Sequence, residues 1–237
     1  MHASSLPRTD AQVAPEGARS RPWIADKTLA RAQAASGLAF ALFLGLHLAN
    51  NLLAPLGIAS YAAIQGVLRA YYQFPLVEVV LVVGAAVMHV TCGVLRARAR
   101  RGQAIRDARV RRHRRLGWAL AVIVVGHFLA TRGIGLLFGV DVGFGAVAFS
   151  LADTPAFFYP YYLFFGGAAA YHGGIGAIRA ARALGARAAL PGRRGGVLFA
   201  VYLALLVAAL LAFGGVLFAV GDPLSSDYAR VYTEHLR

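Results

Sequence analysis

Four histidines lie inside apolar stretches of this chain: His47, His89, His127 and His172. Two of them share a pattern. His89 is followed by Gly93 and Arg96, and His172 by Gly176 and Arg179, so each has a glycine four residues on and an arginine seven residues on. On a helix, positions i and i+4 lie on one face, one turn apart. Such a histidine stands beside a gap where a side chain is missing, which a flat cofactor ligated by the imidazole needs. Ionisable groups inside apolar helices are costly and are generally functional.

The elements that must position these histidines follow from composition. The chain has 237 residues, 59% of them hydrophobic and 14% charged, and a mean hydropathy of +0.61. Soluble domains are about 25% charged, so this is the composition of an integral membrane protein. Five apolar runs are long enough for the ~20 helical residues that a bilayer crossing takes. They are residues 29–53, 75–95, 116–138, 156–178 and 195–220. The expected fold is therefore an all-α integral membrane protein, a five-transmembrane-helix bundle with its sites between the first four helices. A β-barrel would instead show short alternating strands. Residues 1–28 read as a polar cytoplasmic tail without the apolar core of a signal peptide, residues 29–220 as the membrane domain, and 221–237 as an outer tail. In the connection 56–74, Ile64, Val67, Leu68, Tyr71 and Tyr72 recur at helical spacing and predict a short interfacial helix.

The net charge of +14 is distributed for topology rather than for nucleic acid. Twenty of the 24 basic residues fall in the N-terminal segment up to Arg31, in the second connection (Arg96 to Arg115) and in the fourth (Arg179 to Arg194). Only Arg69, Arg132, Arg230 and Arg237 fall on the other side. The positive-inside rule then places the N-terminus in the cytoplasm and the C-terminus outside a bacterial-type inner membrane. Cys92 is the only cysteine, which excludes an internal disulfide or a cysteine-ligated cluster, and it reads as a packing residue.

Depth sorts the histidines into two pairs. His89 and His172 each precede an arginine by seven residues, or about 10 Å, and form an inner pair. His47 lies sixteen residues beyond Arg31 and His127 twelve beyond Arg115. These form an outer pair whose depths differ by about one turn. Neutral imidazoles ligate iron well, and a bis-histidine haem has no open position, which suits electron transfer. Arg96 and Arg179 are placed to meet haem propionates and serve equally as topology-setting charges. Glu78, the one acidic residue within an apolar span, reads either as a quinone or proton site or as a solvated boundary group. His2, His113 and His235 are assigned no site.

This constellation resembles the dihaem cytochrome b membrane anchor of succinate dehydrogenase and fumarate reductase. The likeness spans roughly residues 29–220, with one histidine on each of the first four runs and none on the fifth. Tyr171-His172 with Gly176 and Arg179 is similar to the family's histidine–glycine–arginine segment, and Ser36-Gly37 ahead of His47 to its opening. The resemblance implies two haems b, one ligated by His89 and His172 nearer the cytoplasm and the other by His47 and His127. It also implies exchange of electrons between a membrane quinone (menaquinone or ubiquinone) and an iron–sulfur subunit with its flavoprotein on the cytoplasmic face. Neither subunit's motifs occur in this chain, no acidic residue neighbours His172, and no nucleic-acid partner is expected. Two other readings compete: a different bis-histidine cytochrome, b561-like or of another dehydrogenase, and a haem-free transporter or scaffold whose histidines bond between helices.

Overall fold

Prolines, glycines and short polar residues set the helix ends. In the computed structural model, which describes residues 23–236, α1 runs Trp23–Leu52 and the short interfacial α2 runs Ile58–Tyr72, entered through Gly57 at a φ of +99°. Pro75 opens α3, Pro75–Ala99. Asp107 caps α4, Ala108–Phe138, by accepting from the backbone N–H groups of Arg109 and Val110, satisfying donors that the first turn leaves free. Next come α5, Phe144–Asp153, and α6, Pro155–Ala183. The last two are α7, Arg193–Phe213, and α8, Asp227–His235, which is capped by Ser226. No strand occurs among the described residues.

Four of these helices (α1, α3, α4 and α7) are long and apolar enough to cross a bilayer. Val67, Val122 and Leu137 are each more than 70% exposed on the protein alone. Together these features mark a multi-pass membrane protein in a lipid environment. Helix α6 is 29 residues long, but its tyrosines, glycines and His172 make it less apolar than the other four.

Helix α1 packs along both α3 and α6, and α4 packs on α6, which also carries α7. Helices α3 and α4 close the ring through a two-pronged ion pair between Glu78 and Arg132. The bundle order is therefore α1, α3, α4, α6, with α1 opposite α4 and α3 opposite α6. The tightest core lies beside α7 rather than among the histidines, around Ala54, Tyr61, Phe144, Leu210 and Phe213. A second cluster joins Ile134 and Phe149 to Tyr228 of α8.

Three boundaries differ from the hydropathy reading. The first helix begins at Trp23, inside the stretch read as a tail, and residues 1–22 lie outside the described residues. The fifth apolar run is helical only to Phe213, because the chain turns at Gly214 and at Gly215, whose φ is +77°. Residues 221–237, read as a tail, contain α8, whose Tyr228 hydroxyl donates to the Ala130 carbonyl of α4 at 3.0 Å.

Candidate haem-ligating sites

Each of the four histidines meets the one on the diagonally opposite helix. The His89 and His172 rings, on α3 and α6, have centroids 6.3 Å apart with planes at 84°. The His47 and His127 rings, on α1 and α4, have centroids 6.1 Å apart with planes at 70°. Diagonal pairing brings the two imidazoles of each pair together across the bundle, where a shared ligand would have one on each side. A metal–imidazole bond is about 2 Å and the ring centre lies about 1 Å behind the nitrogen, so two imidazoles on one metal have centroids about 6 Å apart. Both pairs meet that spacing.

The tautomers of the His89–His172 pair are fixed from behind. His89 Nδ1 donates to the Gln33 carbonyl at 3.0 Å, and His172 Nδ1 donates to the His113 carbonyl at 3.0 Å. Nε2 is left unprotonated on each ring, with its lone pair available to a metal. Ligating histidines are commonly oriented in this way by a carbonyl behind them. Glycines give the rings room. A Cβ at Gly37 would lie 2.7 Å from His89 Nδ1, and one at Gly117 would lie 2.8 Å from His172 Cε1. The donor set, its spacing and the glycine cradle all fit a bis-histidine haem.

The two halves of the bundle repeat one another. Gly37, Ala39, Ala41 and His47 of α1 recur in the same order and spacing as Gly117, Ala119, Ala121 and His127 of α4. Gly84-Ala85-Ala86, His89, Gly93, Arg96 and Ala97 of α3 recur likewise as Gly167-Ala168-Ala169, His172, Gly176, Arg179 and Ala180 of α6. The contacts repeat too. Gln33 and His113 are equivalent positions, and each offers its carbonyl to the histidine beside it. Beyond the His47–His127 pair, Asn51 Nδ2 donates to the His47 carbonyl at 2.8 Å, and Thr131 Oγ1 to the His127 carbonyl at 2.6 Å. Each histidine pair therefore joins equivalent positions of two copies of a two-helix unit.

This register removes the one-turn mismatch of the outer pair. His47 and His127 each lie ten residues beyond the glycine that faces the other pair, or about 15 Å along the helix. Arg31 lies six residues before Gly37, whereas Arg115 lies two before Gly117. The arginines used as markers stand one turn apart in height; the histidines do not.

Other residues fall differently from the sequence reading. The gaps at Gly93 and Gly176 are lined by side chains: a Cβ would lie 2.9 Å from Gln33 Nε2 at the first and 3.2 Å from His113 Cε1 at the second. His113, assigned no site from sequence, stacks on His172 with centroids 4.0 Å apart and planes at 1°. Gln33 and Arg132 also went unrecognised. A residue acting through its backbone carbonyl leaves no residue-type signal, but the register of the repeat picks out both Gln33 and His113. Arg96 donates to Gln33 Oε1 at 2.7 Å and to Asp26 at 3.2 Å, while Arg179 has no hydrogen bond or ion pair among the described residues. Glu78 is paired rather than isolated. Arg132 Nε and Nη2 donate to its two oxygens at 2.6 and 2.7 Å, with the side chains 18% and 28% exposed. Both residues sit in π-helical turns, Glu78–Gly84 and Leu129–Gly133, a distortion frequent at functional sites.

Compared with family models, curated proteins and solved structures, the chain matches none. The site itself defines a class, a four-helix arrangement of two stacked histidine pairs.

Proposed function

We propose that this chain is the membrane-anchor cytochrome b subunit of a succinate:quinone oxidoreductase, holding two haems b. The observation that carries the haem reading is the pair of diagonal histidine contacts, at 6.3 and 6.1 Å and stacked about three turns apart. Each bound haem supplies a one-electron carrier without an open iron position. The chain's own residues do the rest. His89 and His172 hold one haem through Nε2, with Gln33 and His113 fixing their ring orientation. His47 and His127 hold the other, against Phe43 and Phe165. Arg96 and Arg179 mark the cytoplasmic end. Glu78, paired with Arg132 at the far end, is the candidate group for quinone and proton chemistry.

The membrane arrangement belongs to this reading. Helix α6 is the fifth span: it carries no charged residue from Pro155 to Ile178 and packs along α1, α4 and α7. The N-terminus is then cytoplasmic and the C-terminus outside, in a bacterial-type inner membrane, and the arginine-rich face receives an iron–sulfur subunit with its flavoprotein. Assignment to succinate or fumarate chemistry rests on the resemblance of the histidine pattern to that family. Gentle solubilisation tests it. Co-purification of a flavoprotein and an iron–sulfur protein supports this anchor, whereas a haem-loaded chain that purifies alone is a different bis-histidine cytochrome.

A further inference from the structure

The duplicated halves part company at the arginine end. In the first half, Arg96 is held by Gln33 and by Asp26, which also pairs with Arg100. Its charge is compensated in place. In the second half, the same register puts Arg106 at the position of Asp26 and His113 at the position of Gln33. The counterpart of Arg96 is Arg179, which has no hydrogen bond or ion pair among the described residues. His113 Nδ1 is buried and has no hydrogen-bond partner among the described residues. The two side chains are neighbours. The His113 ring lies over Gly176, one turn from Arg179 on the same helix. An imidazole nitrogen and a guanidinium thus stand together without a hydrogen-bond partner among the described residues, and a buried polar group without one is costly.

We infer that His113 and Arg179 together bind a carboxylate beside the His89–His172 pair, and that Arg96, committed to Asp26 and Gln33, does not. Arginine and an imidazole N–H are a fitting donor set for a carboxylate. The inference rests on the cytochrome reading, under which the carboxylate is an acid side chain of the haem held by that pair. It sets the two matching arginines of the repeat in different roles, one structural and one ligand-facing, and assigns His113 a function that its place in a basic connection concealed.

Haem and its dimethyl ester, in which both carboxylates are capped, test this on the full-length chain. A His47→Ala background confines binding to the near pair. The parent should bind the ester about tenfold more weakly than haem, the loss expected for one charge-assisted contact. Arg179→Gln and His113→Gln should bind the two alike, Arg179→Lys should keep part of the difference, and Arg96→Gln should keep all of it. Glutamine is the residue that the first half carries at the position of His113, so His113→Gln is a conservative change. The inference is overturned if Arg96→Gln abolishes the difference while Arg179→Gln retains it. Equal binding of acid and ester by the parent also overturns it, because the carboxylate then belongs to a soluble anion. A wild-type chain that takes up no haem ends the cytochrome reading itself, an outcome distinct from either of these.

Discussion

At the scale of single residues, glycine decides which rings fit where. A methyl group at Gly37 would meet His89, and one at Gly117 would meet His172. Gly45 and Gly126 lie on the same two helices with nothing within 4 Å of such a methyl group. Gly37→Ala and Gly117→Ala are therefore expected to lose the haem of the His89–His172 pair and keep the other, because overpacking of about 1–3 kcal/mol falls on that ligand alone. Gly45→Ala and Gly126→Ala should keep both haems and gain up to about 1 kcal/mol of helix stability. Haem per chain, measured alongside thermal unfolding, separates the two classes; equal haem loss in all four variants would remove the cradle from the account. The two histidine pairs were legible in the sequence, since the residue types and the H-x-x-x-G-x-x-R spacing are plain. The supporting groups were not. Gln33 and His113 act through main-chain oxygens that any residue possesses, and His113 was masked by arginines on both sides.

At the scale of elements, the Glu78–Arg132 pair ties α3 to α4 where few other contacts do. Removing one partner leaves a charge unpaired in a partly buried position. Glu78→Gln or Arg132→Gln should each cost about 1–3 kcal/mol, and the double variant should recover part of that loss. A thermal-unfolding double-mutant cycle reads the coupling, and additive losses would show that the pair contributes no mutual stabilisation. The helices were legible as apolar runs because bilayer crossing imposes a length and a composition. Their relative heights were not, because the arginines near the helix starts stand at different levels: Arg31 and Arg115 differ by one turn relative to the glycines that face His89 and His172. Helices α5 and α8 were also missed as helices. Both are short and are held by burial of Phe149 and Tyr228 against each other, a tertiary contact that no span-length apolar run announces.

At the scale of the whole molecule, the arginine distribution and the five-span reading make one prediction together. Reporter fusions should place residues 102 and 187 in the cytoplasm and the C-terminus outside. A fluorescent protein should therefore glow at the first two sites, and a periplasmic phosphatase should be active at the third. A cytoplasmic C-terminus would mean an even number of crossings and would remove α6 as a span. The duplication gives the molecule its logic. Two copies of a two-helix unit face each other, so that each histidine pair takes one residue from each copy at the same register.

The central claim is that the two histidine pairs each hold a haem, and a dithionite-reduced minus oxidised spectrum of the purified chain, with haem counted per polypeptide, tests it most directly. The account predicts two low-spin b haems, reduced to one by His89→Ala or His172→Ala and likewise by His47→Ala or His127→Ala. A folded, unstripped protein without haem would contradict it and return the four histidines to helix packing.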